Sequence, residues 1–308
     1  MLKKKKIGFN VDVINMGLKI NTVIILSFLA SNLLKCQEVE FRYIKNQIIL
    51  PVFINDNGPY NMLLDTGVDP SVIDLQILKE IGVAIDSTDF GKAEGRGEDE
   101  VKVFPIVIDQ LSIGDKEKHK LETLAMNLSH LGDPLGIKLH GIIGYSYIKD
   151  KMFKIDYENH TLTFFNNRNN LNASIRNQFH IVKFFHDGED MIPLINDCSV
   201  NGFDFIGSVD TGSSLNIQIY KHRLEKFNIS RDSVKDSQIV GAQGVKKILK
   251  STVPKVQLGD FIFYDQELSI SDIKNKKQLR DGNIGNKFLQ NFKVAFDYSN
   301  NEIIFEIK

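Results

Sequence analysis

Short runs of β-branched and aromatic residues, broken by Asn, Gly and Asp, fill most of the chain. Such runs between turn-forming residues read as strands joined by tight turns. Ile48–Ile54 and Asn61–Leu64 predict a hairpin with Asn57-Gly58 in its turn, and Ile192–Ser199 with Phe203–Val209 predict a second that turns at Asn201-Gly202. Phe153–Asp156 and Thr161–Phe165 flank Glu158-Asn159. Lys293–Tyr298 and Glu302–Ile307 flank Asn300-Asn301 in the same way. Helical spacing is rare. Leu75, Ile77, Leu78 and Ile81 suit a short amphipathic helix over Asp74–Ile81, and Ile219–Phe227 reads as its counterpart. The class is therefore mainly β, with one short helix in each half.

The halves repeat one another. IILPVFINDNGPYNMLLDTG is echoed by MIPLINDCSVNGFDFIGSVDTG, and HGIIGYSYIKDKMFKIDYENHTLTFF by DGNIGNKFLQNFKVAFDYSNNEIIFE. Asp65 and Asp210 stand 145 positions apart, Gly144 and Gly285 stand 141 apart, and so do Asp156 and Asp297. A duplication this long implies two copies of one supersecondary unit. The expected organisation is residues 38–165 as one lobe, a polar Asn-rich linker over 166–180, and residues 181–308 as the other.

Each copy carries Asp-Thr-Gly at the end of an apolar run, as Asp65-Thr66-Gly67 and Asp210-Thr211-Gly212. One such tripeptide is a common turn. A pair related by duplication puts two carboxylates on a pseudo-two-fold axis, as a water-activating carboxylate pair requires.

Composition narrows the remaining choices. The net charge of -1 and the lack of a basic stripe argue against nucleic acid as a partner. The two cysteines make no disulfide framework, and the seven histidines form no pair at helical metal-ligand spacing. Residues 1–36 differ from the rest. Lys3–Lys6 precede an apolar run, Ile20–Leu34, that is short for a membrane span and suits a secretory signal. Met16 as the start would give that signal a shorter basic head. Export to the periplasm, the cell envelope or the medium is expected, with no stable membrane span in the mature chain. Cys36 is a candidate lipid anchor, although Lys35 before it fits a lipobox poorly.

With these elements in view, the sequence resembles the aspartic proteases, and most closely the retropepsin-like bacterial members with both halves in one chain. The resemblance rests on the doubled apolar-Asp-Thr-Gly, the helix that follows, and the later Ile142-Ile143-Gly144 and Asn283-Ile284-Gly285. It covers nearly the whole chain after residue 37. It implies an all-β, bilobal fold of pepsin/retropepsin-like barrels, no metal or organic cofactor, and an extended peptide or protein substrate. With both halves covalently joined, a monomer can be the active unit. Asp65 and Asp210 are the implied catalytic pair, in which two nearby carboxylates share one proton, and the dyad of this family is itself the usual illustration of that effect. Thr66 and Thr211 would lock the loops across the axis. Gly67 and Gly212 would present backbone amides to the carboxylates, and Gly144 and Gly285 would let a strand pass close to each loop. Gly95 and Gly97, with Gly241 and Gly244, would form two substrate-covering flaps, neither bearing a tyrosine. Val68 departs from the pattern where Ser213 keeps it. A hydroxyl at that position is expected to donate to the carboxylate, so the pair would be asymmetric. A non-catalytic peptide binder on the same scaffold is the main alternative, and an envelope-anchored lipoprotein, suggested by Cys36 alone, is the third.

Overall fold

The computed structural model describes residues 37–94, 100–188, 191–241, 244–273 and 278–308. The expected signal and Cys36 lie outside these residues, as do Gly95 and Gly97. Three sheets organise the compact unit Gln37–Lys308.

The first half folds into an eight-stranded sheet in the order Arg42–Ile44, Gln47–Ile54, Asn57–Leu64, Gly141–Ile143, Val72–Asp74, Lys116–Met126, Glu100–Ile113, Gly91–Glu94. Residues of the second half form a nine-stranded sheet. Its matching core runs Gly207–Asp210, Gly282–Gly285, Ile217–Tyr220, Phe261–Ser271, Gly244–Leu258. In both sheets the strand that ends at an Asp-Thr-Gly pairs in parallel with the strand of the later glycine. Leu64 faces Ile143 in the first sheet, and Asp210 faces Gly285 in the second. The chain is thus a bilobal, mainly β protein built on a repeated topology.

A six-stranded sheet joins the halves, with three strands from each. Its order is Glu38–Glu40, Thr161–Phe165, Met152–Asp156, Phe292–Asp297, Glu302–Ile307, Phe179–Lys183. At its centre Phe153 pairs with Phe296, and their rings stack 5.0 Å apart. Phe153, Phe292, Phe296 and Phe305 are fully buried. Each such ring contributes about 1.5–3 kcal/mol through the apolar area it removes from water. The seam between the lobes is therefore core.

Local chemistry explains the turns. The first hairpin turns at Asn55-Asp56 and not at Asn57-Gly58, because Ile54 pairs with Asn57. Asn55 and Asp56 take φ of 47° and 61°, the left-handed pair that a two-residue turn needs and that Asn and Asp tolerate. Gly58, at φ 143°, instead follows a register shift between Val52 and Ile54. The second hairpin does turn at Asn201-Gly202, with φ of 53° and 83°.

Helices are short but outnumber one per half. Leu75–Glu80 starts where expected, because the Asp74 side chain accepts the Gln76 N–H at 2.9 Å. Ile219–Phe227 is not its helical counterpart. The strand there runs to Tyr220, which offers no side-chain cap, and two 3₁₀ turns follow at Lys221–Arg223 and Glu225–Phe227. Single-turn helices also occur at Ser129–Gly132, Tyr145–Ile148 and Asn286–Leu289. The Asn-rich stretch expected to be a plain linker contains the helix Arg168–Ala173, capped by Asn167. Among the described residues no helix is long and apolar enough to cross a membrane.

Candidate active site

Both Asp-Thr-Gly loops leave the end of a sheet strand and turn toward each other. Their threonines form a closed, reciprocal set of bonds. The Thr66 N–H donates to Thr211 Oγ1 at 3.0 Å, and the Thr211 N–H donates to Thr66 Oγ1 at 3.1 Å. Each hydroxyl then donates across the axis, Thr66 to the Val209 carbonyl at 2.6 Å and Thr211 to the Leu64 carbonyl at 3.0 Å. Both residues are buried, so no water competes for these bonds, and each is worth roughly 1 kcal/mol net.

That grip brings the carboxylates together. A methyl group on Gly67 would lie 2.8 Å from Cγ of Asp210, in the other loop, and one on Gly212 would overlap the Asp65 carboxyl. Each glycine therefore makes room for the opposite aspartate. The Gly67 N–H also donates to Asp65 Oδ1 at 2.8 Å. Asp65 is half-buried and Asp210 is buried.

The later glycines support both loops alike. A methyl on Gly144 would meet Val68, and one on Gly285 would meet Ser213 and the Leu215 carbonyl. The following residue binds each loop in turn: the Tyr145 N–H donates to the Val68 carbonyl at 2.9 Å, and the Asn286 N–H to the Ser213 carbonyl at 2.8 Å. Nine of the residues singled out from the sequence are thus gathered here: Asp65, Thr66, Gly67, Gly144, Asp210, Thr211, Gly212, Ser213 and Gly285. Gly241 and Gly244 face each other at the end of the hairpin formed by Lys235–Gly241 and Gly244–Leu258. Gly91–Glu94 and Glu100–Ile113 form the matching hairpin, and the tip between them is outside the described residues.

Several neighbours escaped the sequence reading. The Asn283 amide donates to Asp210 Oδ2 at 3.1 Å, while its Oδ1 lies 2.9 Å from Ser208 Oγ and 3.2 Å from the Tyr220 hydroxyl. The Ser213 hydroxyl accepts from the Leu215 N–H at 3.4 Å. An asparagine where the first half has Ile142 was the available signal. The second loop is also braced from the first half. Gln47 Nε2 donates to the Gly212 carbonyl at 2.9 Å, and Asn286 Nδ2 donates to the carbonyls of Thr211 at 2.6 Å and Asn46 at 2.9 Å. Tyr157 donates to Asn286 Oδ1 at 2.8 Å.

Beneath the site the Tyr298 ring packs 6.0 Å from that of Tyr145. Burial raises the Tyr298 phenol above its ordinary pKa, and the Tyr145 and Asp65 charges add to the effect. Tyr145 is raised as well, by burial and then by Asp69. Both phenols stay neutral where an aspartate dyad operates. A separate groove of about 780 Å³ lies beside helix Leu75–Glu80, lined by Lys79, Asp133 and Lys138 among others, and no residue of the paired loops borders it. Among the described residues, no three His, Cys, Asp or Glu side chains are grouped to hold a metal ion.

A two-lobed β fold with paired Asp-Thr-Gly loops defines the class of bilobal aspartic proteases. The chain belongs to the aspartyl protease family, whose model matches residues 50–147 and 197–288, one segment in each lobe and each containing one of the loops. No curated protein matches the chain.

Proposed function

We propose that the chain is an aspartic endopeptidase, with Asp65 and Asp210 as the catalytic pair. The observation that carries this reading is the reciprocal seating of each loop's glycine on the other loop's aspartate. Two carboxylates so placed cannot both ionise easily, and they hold one proton between them. The ionised member takes a proton from a bound water, and the protonated member polarises the scissile carbonyl. Attack gives a gem-diol. Its collapse breaks the C–N bond, sends a proton to the leaving nitrogen, and returns the dyad to one proton.

The substrate lies extended between the lobes, its backbone pairing with the two flap hairpins. Their glycine-bearing tips, with Gly95 and Gly97 in one and Gly241 and Gly244 flanking the other, close over it, since closing loops need residues that absorb large backbone changes. Thr66, Thr211, Gly144 and Gly285 hold the pair in register, and Ser213 lines the second loop. The basic head and apolar run of residues 1–36 support export, with Cys36 as the candidate lipid anchor.

Incubating the purified protein with a diverse peptide library, with and without a statine-type inhibitor, tests the reading. Cleavage is expected, and the inhibitor should abolish it. Binding of extended peptides without cleavage would identify a peptide-binding module instead.

A further inference from the structure

The six-stranded sheet that joins the halves ends in two edge strands of different character. Glu38–Glu40 is three residues long and carries two exposed acids. A short, charged strand is a guarded edge that resists pairing with another chain. Phe179–Lys183, at the opposite edge, has no such guard. Its five residues run in unbroken register along Glu302–Ile307, without proline or bulge. Phe179 is 45% exposed and Ile181 40%, and the two share one face of the strand with Lys183.

The backbone of this strand is open as well. The Phe184 N–H donates to the Asn301 carbonyl and the Ile307 N–H to that of Gln178, so the even-numbered positions face the neighbouring strand. Antiparallel ladders alternate. Phe179, Ile181 and Lys183 therefore turn their N–H and C=O groups the other way, where among the described residues no further strand follows.

We propose that a second copy of this chain pairs with this edge, antiparallel to it and centred on Ile181. That register uses the whole strand. It sets Ile181 against Ile181 of the second copy, and Phe179 against Lys183 of the second copy. Every one of these positions has outward donors and acceptors, so each pair can exchange main-chain hydrogen bonds. The rows that cross the sheet also match. In one row Asp156, Lys293 and Glu306 alternate in sign and lead to Phe179. Lys183 of the second copy continues that row, followed by its own partner Glu302, 2.8 Å away within the chain. No like charges meet across the contact, and the Lys183 stem lies along the Phe179 ring. In the next row Ala295 and Ile304 are buried and lead to the exposed Ile181. The pairing covers that apolar end with its own copy. The other face of the strand is committed within the chain. Val182 is buried, and His180 is held by Asp197 at 2.6 Å and Asp260 at 3.4 Å. A pairing this short is at the small end of specific interfaces, so the dimer should dissociate on dilution through the micromolar range. Both Asp-Thr-Gly loops stay within each copy, so the pairing stands apart from the catalytic reading.

Sedimentation equilibrium of the full chain, carrying Cys36→Ser so that this thiol forms no cross-links, reads the association directly. A monomer–dimer equilibrium is expected. Ile181→Lys, at an exposed position, sets two cations against each other on the axis. It should weaken association roughly tenfold or more and leave the circular dichroism unchanged. Ile181→Cys gives the sharper reading. Residues opposed in a hydrogen-bonded pair lie about 5.5 Å apart between Cα atoms, within the span of a disulfide. Air oxidation should link two copies through position 181. Phe179→Cys, which faces Lys183 of the second copy, should give no such link. A monomer at every concentration would overturn the proposal. So would an association that Ile181→Lys leaves unchanged, or cross-linking as efficient at position 179 as at 181.

Discussion

The two Asp-Thr-Gly loops share a backbone plan but differ in what surrounds it. Threonine bonds, opposed glycines and parallel strand pairing recur in both halves. The surroundings have diverged: Val68 and Ile142 belong to an apolar cluster in the first half, while in the second Asn283 bonds Asp210 and Ser208, and Ser213 stands where the first half has Val68. Bracing differs too. The second loop receives amide bonds from Gln47 and Asn286, whereas Tyr145, the counterpart of Asn286, packs aromatic surface against Tyr298. Duplication thus fixes the shared geometry that opposes two carboxylates. The supporting side chains are where the two halves differ.

The sharpest way to break the shared part is to crowd it. Gly67→Ala and Gly212→Ala each press a methyl against the opposite carboxyl. Misplacing a reacting group by about 1 Å can cost roughly 10²-fold in rate. Both variants should lose at least that in kcat/KM, with Gly212→Ala the worse because its methyl overlaps Asp65 outright. Peptide-cleavage assays on the two variants check this, and near-normal rates would separate the glycines from the dyad.

Thr66→Val and Thr211→Val test the symmetry itself. Each removes a hydroxyl that both donates and accepts, stranding a carbonyl and an N–H in a buried site. Each stranded group costs about 1–3 kcal/mol, so both variants should lose a few kcal/mol in denaturant titrations. The two losses should be similar. A large loss in one and none in the other would mean that the grip is one-sided.

The repeat legible in the sequence was the backbone plan, and its supporting side chains were not. Asp-Thr-Gly and the later glycines mark positions where few residues fit, so spacing alone places them. Asn283 and Asn286 act through contacts between segments far apart in the chain, which periodicity cannot encode. The same limit misplaced the Ile219–Phe227 helix. Its apolar spacing matches that of Leu75–Glu80, but the capping acid Asp74 is replaced by Tyr220, and the segment closes into 3₁₀ turns. The first hairpin turn went astray because Asn57-Gly58 has turn composition, while Asn55-Asp56 satisfies the backbone and keeps the buried face of Gln47–Ile54 in register.

A smaller effect concerns the shared sheet. Asp156 titrates below the usual carboxylate range. Burial pushes it up, but Lys293 at 2.6 Å and the Asn159 backbone and side chain outweigh burial. A lowered folded-state value means that the stabilisation is present at neutral pH and is lost as pH falls through that lowered range. Asp156→Asn should therefore destabilise the chain at pH 7, with the gap closing in strong acid. Urea titrations of both proteins across pH measure it, and a gap independent of pH would contradict the ionic origin.

The smallest change is expected from Val68→Ser. Val68 turns its side chain toward Gly144, so a serine there directs its hydroxyl at the glycine strand and gains little. The pH profile of kcat/KM should move by less than about half a unit, under a single full-strength hydrogen bond to a charge. A larger downward move of the acid limb would give that position a direct role at Asp65.

Kinetics of Asp65→Asn, Asp210→Asn and the double variant on one cleaved peptide test the paired site most directly. Residues that act as one unit are strongly non-additive. We predict that each single change lowers kcat/KM by roughly 10³-fold or more and that the double change costs little beyond either. Near-normal turnover in either single variant, or losses that simply multiply, would contradict a dyad shared between the two lobes.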